Sequence, residues 1–79
     1  MDVKERDVVI GGLYRHFKGK LYKVLMIAKD SETCKKMVVY QGQYDDNPVW
    51  VRDYDDFLME VNHEKYPDVQ QKYRFELID

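Results

Sequence analysis

Hydrophobic and polar positions alternate in short blocks along most of the chain, and turn-forming residues separate the blocks. The two clearest blocks are residues 13–17 and 21–29, with Lys18 and Gly19 between them. Alternation with a period of two indicates β-strands. A glycine in a two-residue turn supplies the positive φ that a tight hairpin needs. This part of the chain therefore predicts a β-hairpin.

The middle of the second block, residues 24–27, is apolar on both alternating faces. Such a strand is either covered on both sides or strongly coiled. Three further strands are predicted by the pattern, and they comprise residues 35–41, 49–52 and 73–78. In the last of these, Tyr73, Phe75 and Leu77 fall on one face and Arg74 and Glu76 on the other.

An acidic stretch follows the fourth predicted strand. Aspartates in residues 53–56 accept hydrogen bonds from free backbone N–H groups, so we expect them to cap one helical turn before residues 57–61. Five to six short strands without a convincing amphipathic helix predict an all-β fold, a small barrel or roll. We expect one domain over residues 1–79, with residues 1–11 as a charged lead-in and residues 62–72 as a polar inserted loop.

The aromatic content has a structural explanation before any functional one. The chain has 79 residues and contains seven Tyr, three Phe and one Trp. A chain of this length buries only about 60% of the surface of its unfolded form, so its core is thin. Large rings fill a thin core efficiently.

The single cysteine, Cys34, has no partner for an internal disulfide, which favours a reducing, cytoplasmic location. The sequence has no apolar run long enough for a membrane span and no apolar stretch of a signal peptide near its start. We therefore expect no membrane partner.

The net charge of −2 hides an asymmetry between the two halves of the chain. Residues 1–40 carry nine Lys or Arg and five Asp or Glu, a balance of +4, and residues 41–79 carry four and ten, a balance of −6. This asymmetry predicts a dipolar surface. The chain lacks the dominant excess of basic residues that is typical of a strong nucleic-acid-binding protein.

Several motifs occur in the same order as in one known family. They are Tyr14-Arg-His-Phe-Lys-Gly19, Leu21-Tyr22, Val38-Val-Tyr40, Trp50-Val-Arg52, Phe57-Leu58 and Arg74-Phe75. From Gly12 onward the chain resembles the bacterial family known as domain of unknown function 1653. The resemblance implies a small SH3-like β-barrel and supplies no activity, ligand or catalytic residue. One departure concerns the turn that usually reads Thr-Glu-Thr-Gly in such domains. Here Cys34 stands at the glycine position, where a left-handed conformation costs backbone energy.

Aromatic, imidazole and guanidinium groups recur on the predicted strands and suggest a binding surface. The candidate ligand-binding residues are Tyr14, His16, Tyr40, Trp50 and Arg52. The first hypothesis is a non-catalytic binding module that holds a peptide or a small ligand on this surface. The competing interpretation is structural: the rings fill the core, and Arg52 pairs with a carboxylate such as Asp53 or Asp55.

Two other function classes stay open. The first hairpin interleaves basic and aromatic residues, as single-stranded nucleic-acid binders do, and its candidates are Arg15, Lys18, Lys20 and Lys23. A third hypothesis is an enzyme that uses His16 or Cys34, although the sequence reveals no partner group for either residue. No metal or cofactor motif is present. An exposed edge strand would allow a homodimer.

Overall fold

Five strands hydrogen-bond into one antiparallel sheet in the computed structural model, which describes residues 7–79. The elements are β1 (Leu13–His16), β2 (Leu21–Lys29), β3 (Lys36–Gly42), β4 (Val49–Asp53), the helical turn α1 (Tyr54–Phe57) and β5 (Phe75–Leu77). The sheet order is β4-β3-β2-β1-β5, so β4 and β5 form its two edges. The predicted all-β fold is confirmed.

Residues 1–6 of the expected charged lead-in lie outside the described residues. In the rest of that segment, Val8 packs against the hydrophobic core, and the backbone N–H of Val9 donates to the hydroxyl of Tyr14 at 2.9 Å. The described part of the lead-in is therefore anchored to the sheet.

The turns carry the positive φ angles that the sequence predicts. Gly19 has a φ of 108° in the β1–β2 turn, and its N–H donates to the carbonyl of His16 at 2.7 Å. Cys34, in the β2–β3 turn, has a φ of 62°. The expectation of a left-handed backbone at Cys34 is confirmed.

A β-bulge explains the apolar run in the middle of β2. The register with β3 pairs Val24 with Tyr40 and then Met26 with Val39, so Leu25 is the extra residue. A bulge bends a strand and increases its twist. Val24 is fully buried, whereas Met26 is 53% exposed. The strand is therefore coiled, and the alternative in which it is covered on both sides is wrong.

Asp53 caps the helical turn as the acidic stretch predicts. Its Oδ1 accepts hydrogen bonds from the backbone N–H groups of Asp55 and Asp56 at 3.0 and 3.2 Å. The helical turn, α1, covers Tyr54–Phe57 and so ends at the first residue of the segment 57–61, as predicted. The cap follows directly from the last residue of β4, so the chain turns into the helix at once.

The core is centred on a stacked pair of phenylalanines. The rings of Phe57 on α1 and Phe75 on β5 lie 4.2 Å apart with an interplanar angle of 8°. Tyr14 on β1 and Tyr40 on β3 meet Phe57 edge-on, with ring centroids at 5.2 and 5.4 Å. Val24 and Val38 complete this buried cluster. The ring of Phe57 thus contacts side chains from three strands, β1, β3 and β5.

The edge strand β4 exposes apolar side chains. Val49 and Val51 are 56% and 60% exposed. The homodimer that an exposed edge strand would allow stays a prediction.

Replacement of Phe57 by leucine tests the importance of the stacked pair. We expect Phe57→Leu to lower the free energy of unfolding by about 1–2 kcal/mol, because it removes a fully buried ring and its stacking contact. Urea denaturation measures the change. The control Met59→Leu alters a side chain that is 49% exposed and should change stability by less than about 0.5 kcal/mol. Equal losses in the two variants would contradict this account.

Candidate functional site

A cavity of about 280 Å³ opens between the β1–β2 turn and the loop that follows α1. Its lining combines basic, polar and aromatic side chains: His16, Phe17, Lys18, Arg52, Asn62, Lys65, Tyr66 and Arg74. We call this cavity the basic pocket. A second cavity, of about 250 Å³, lies at the start of β3 and is lined by Lys35, Lys36, Asp53, Tyr54 and Asp55.

A shared carboxylate orients the two arginines of the basic pocket. One oxygen of Asp56 accepts from Nη1 of Arg52 at 2.6 Å, and the other accepts from Nη1 of Arg74 at 2.9 Å. Arg52 lies on β4 and Arg74 directly precedes β5, so Asp56 on α1 connects the two edges of the sheet. The partner of Arg52 is therefore Asp56, and not Asp53 or Asp55 as the sequence suggested.

Arg52 makes two further contacts that fix its side chain. Its Nε donates to the hydroxyl of Tyr40 at 3.1 Å, and its guanidinium carbon lies 5.5 Å from the ring centroid of Phe75. Burial alone would lower the pKa of Arg52, but the hydrogen bonds to Tyr40 and Asp56 outweigh it, and the pKa is raised. Arg52 is therefore a permanent cation of fixed orientation.

His16 is a neutral hydrogen-bond donor in the basic pocket. Its Nδ1 accepts from the backbone N–H of Lys18 at 3.1 Å, which leaves the proton of the neutral ring on Nε2. Burial, together with the charges of Arg52, Lys18 and Arg74, lowers the pKa of His16 to about 4. At pH 7 the ring is uncharged.

Two rings form the aromatic wall of the basic pocket. Phe17 and Tyr66 have ring centroids 5.0 Å apart at an interplanar angle of 58°. The ammonium groups of Lys18 and Lys65 lie 5.5 and 5.4 Å from the ring centroid of Tyr66. The aromatic wall therefore carries positive charge along its rim.

The loop of residues 62–72 folds back on the first hairpin and supplies one side of the pocket. Asn62 begins this loop, and its Oδ1 accepts from the backbone N–H groups of Glu64 and Lys65 at 3.1 and 3.2 Å. Farther along, the side-chain amide of Gln71 donates to the carbonyl of Arg15 at 2.9 Å. The segment that the sequence presents as an insertion is thus part of the site.

The five sequence-predicted ligand residues separate into three locations. His16 and Arg52 line the basic pocket. Tyr14 and Tyr40 are 2% and 5% exposed and belong to the core, so a ligand does not reach their rings. Trp50 is 47% exposed and lies outside the basic pocket, where its Nε1 donates to the hydroxyl of Tyr44 at 3.1 Å.

The four residues proposed for nucleic-acid binding do not share one surface. Lys18 lines the basic pocket, and the ammonium group of Lys20 lies 4.2 Å from the ring centroid of Tyr44. Arg15 and Lys23 lie on the opposite face of the sheet, since they alternate with Tyr14 and Tyr22 along paired strands. The two residues considered for an enzyme are also separated, because His16 precedes β2 and Cys34 follows its other end.

A family model described as "Protein of unknown function (DUF1653)" matches residues 12–77. The chain belongs to this family. No curated protein and no solved structure matches it. All eight residues that line the basic pocket lie inside the part of the chain that the DUF1653 model matches.

Sequence reasoning missed most of the pocket. Lys65 and Tyr66 lie in the loop that the sequence presents as an insertion. Arg74 falls inside the predicted strand 73–78, whereas the observed strand β5 begins at Phe75. The signal was present in the charge distribution: residues 41–79 contain four Lys or Arg, and three of them, Arg52, Lys65 and Arg74, line the basic pocket.

Within residues 7–79, no helix is long and apolar enough to cross a membrane. Over the same residues, no three His, Cys, Asp or Glu side chains gather in a group suited to a metal ion.

The lowered pKa of His16 makes folding stability depend on pH. Between pH 6.5, the unfolded value, and about 4, the unfolded chain binds a proton that the folded chain does not. The neutral His16 therefore contributes its full share of folding stability above pH 6.5, and this share is lost as the pH falls toward 4. Because the ring is half-exposed and screened by solvent, we expect on the order of 1 kcal/mol, measured by urea denaturation at pH 7 and pH 4.

Between pH 7 and pH 4, the free energy of unfolding of His16→Asn should fall by about 1 kcal/mol less than that of the wild type. Its Oδ1 is able to accept the hydrogen bond from Lys18 but does not titrate. The control Arg15→Asn replaces an exposed residue of the same strand and should retain the wild-type dependence. A His16→Asn variant with unchanged pH dependence would refute the neutral state assigned to this half-buried ring.

Proposed function

We propose that this DUF1653 protein is a non-catalytic binding module and that the basic pocket is its binding site for a small ligand. One observation carries the proposal: two arginines held by Asp56, a neutral histidine and an aromatic wall converge on one cavity. Small-molecule sites are concave, and well-placed polar groups in them fix the orientation of the ligand.

The polar groups of the pocket are held in place before any ligand arrives. Asp56 and Tyr40 fix the guanidinium of Arg52, and the backbone of Lys18 fixes the ring of His16. A site whose side chains are already ordered spends less of its interaction energy on ordering them when a ligand binds. This preorganisation favours a recognition role for the pocket.

Binding is better supported than catalysis. No Ser, Thr or Cys lines the basic pocket among the described residues, and Cys34 lies at the far end of β2. With a pKa of about 4, His16 is a weak base near neutral pH. These features leave the pocket without a Ser, Thr or Cys nucleophile and without an efficient imidazole base.

A small ligand is better supported than an extended peptide. Recognition of a proline-rich peptide by an SH3-like fold uses aromatic-lined grooves. Here the rings of Tyr14 and Tyr40 are buried, which removes them from any groove. An SH3-like classification and a cytoplasmic setting accompany this proposal, and the free, exposed thiol of Cys34 supports a reducing location.

An NMR titration tests the proposal. The ¹⁵N–¹H spectrum is recorded with a fragment library, mixed peptides and short oligonucleotides. We expect a ligand to shift the amide signals of His16, Phe17, Lys18 and Tyr66. Arg52→Gln should weaken that binding by about 10-fold or more, because it removes a charged hydrogen-bond donor.

Arg15→Gln provides the matched control, since Arg15 is exposed on the opposite face of the sheet. We expect it to change the affinity less than twofold. Shifts confined to Arg15, Lys20 and Lys23, with oligonucleotides only, would overturn the proposal and favour nucleic-acid binding.

A further inference from the structure

We propose that the basic pocket binds the terminal phosphate of a small phosphomonoester. This inference rests on the proposed function, because it names the ligand class of the same pocket. Its basis is the hydrogen-bonding character, the charge and the size of the cavity.

Apart from the hydroxyl of Tyr66, which can donate or accept, the polar side chains of the pocket offer donors and no free acceptor. Lysine and arginine only donate, and His16 accepts at Nδ1 from Lys18, so its Nε2–H is its remaining polar group. The Oδ1 of Asn62 is occupied by two backbone N–H groups, which leaves the NH₂ group to face a ligand. A ligand that satisfies this lining must be rich in acceptors.

The charge of the pocket favours an anion that carries more than one negative charge. Four cations, Lys18, Arg52, Lys65 and Arg74, line the cavity, and one carboxylate, Asp56, pairs with the two arginines. The local balance is therefore 4 − 1, or +3. A concave surface of one charge sign focuses its field and concentrates oppositely charged ligands.

This positive charge is concentrated against the trend of the surrounding sequence. Residues 41–79 have a balance of −6, yet three of their four basic residues meet in the pocket. Lysines that only solubilise a surface need no such convergence. The clustering favours a site selected for an anion.

A phosphomonoester fits these requirements better than a carboxylate. It carries about −1.5 to −2 charges at pH 7 and three acceptor oxygens, whereas a carboxylate carries one charge and two oxygens. Guanidinium groups match phosphate oxygens in pairs. In Arg74, only Nη1 is engaged by Asp56, so other N–H groups of that guanidinium are available for a ligand.

The size of the cavity favours a terminal group on a small molecule. About 280 Å³ lies just below the range of about 300–1,000 Å³ that small-molecule sites occupy. A phosphate and one attached group fill such a volume, and the ring of Tyr66 or Phe17 is available to the attached group. An internal phosphodiester would instead need the chain to leave the pocket on both sides.

Three probes test the inference on the full chain: inorganic phosphate, ribose 5-phosphate and adenosine 5′-monophosphate, with acetate, ribose and adenosine as counterparts. We expect the three phosphates to shift the amide signals of the pocket residues at pH 7.5. Their affinity should fall as the phosphate takes up its second proton near pH 6. Tighter binding of the nucleotide than of the sugar phosphate would assign the aromatic wall to the base, and the reverse order would assign it to the sugar.

A second readout is the titration of the His16 ring, followed through its carbon-bound protons. The ring is faced by Lys18 from the β1–β2 turn, Arg52 from β4, Arg74 before β5 and Tyr22 from β2, with Asp56 of α1 between the arginines. A bound phosphate counters these cations, so we expect the pKa of His16 to rise by about one unit or more. Acetate should raise it less.

Lys65→Gln removes one cation of the pocket and should weaken phosphate binding by about 10-fold. The control Lys23→Gln removes a cation from the opposite face of the sheet and should change the affinity less than twofold. Equal effects of the two variants would indicate attraction by overall charge and would overturn the inference.

The remaining outcomes separate this inference from the proposed function. If neutral fragments or acetate bind the pocket as tightly as the phosphates do, the phosphate assignment is wrong and the binding module stands. Tighter binding of an oligonucleotide without a terminal phosphate, or of a phosphorylated peptide, would also overturn the small-molecule assignment. If no ligand shifts the pocket signals, both proposals are wrong.

Discussion

The carboxylate of Asp56 holds together two arginines from opposite edges of the sheet, and the shape of the basic pocket depends on this bridge. Asp56 and Phe57 are neighbours on α1, a turn of only four residues. Phe57 enters the core and stacks on Phe75, while Asp56 faces the arginines. The same helical turn therefore completes the core and organises the site, so the two cannot vary independently.

The bridge contributes orientation more than stability. The side chains of Arg52, Arg74 and Asp56 are 33%, 27% and 33% exposed, so solvent screens their attraction. Ion pairs of this kind stabilise a protein by about 0–1 kcal/mol. Two cations that share one anion also leave a positive charge uncompensated. The arrangement therefore adds little to stability. It gives the two guanidinium groups a defined geometry, which is useful in a site that binds an anion.

The sequence carried the strand pattern but not the assembly of the pocket. Alternation identified the bounds of β2, and the turn chemistry at Gly19 and Cys34 was visible from residue type and spacing. The bulge at Leu25 was not, because an apolar run does not show where the register shifts. Local patterns depend on neighbours along the chain, and a register depends on the partner strand.

The candidate site was only half visible for the same reason. His16 and Arg52 stood out by their residue types, but Tyr14 and Tyr40 were equally prominent and proved to be core. A thin core uses the same rings as a binding surface, and sequence does not separate the two uses. The pocket forms only when residues 62–72 fold back so that Tyr66 meets Phe17, a contact across 49 positions of the chain.

A crystal structure with tungstate, a heavy analogue of phosphate, tests the central claim most directly. Our account predicts an anomalous peak in the basic pocket, within hydrogen-bond distance of Arg52 and Arg74, while both arginines keep their contacts with Asp56. Tungstate bound elsewhere, or arginines that turn away from Asp56 into solvent, would contradict it.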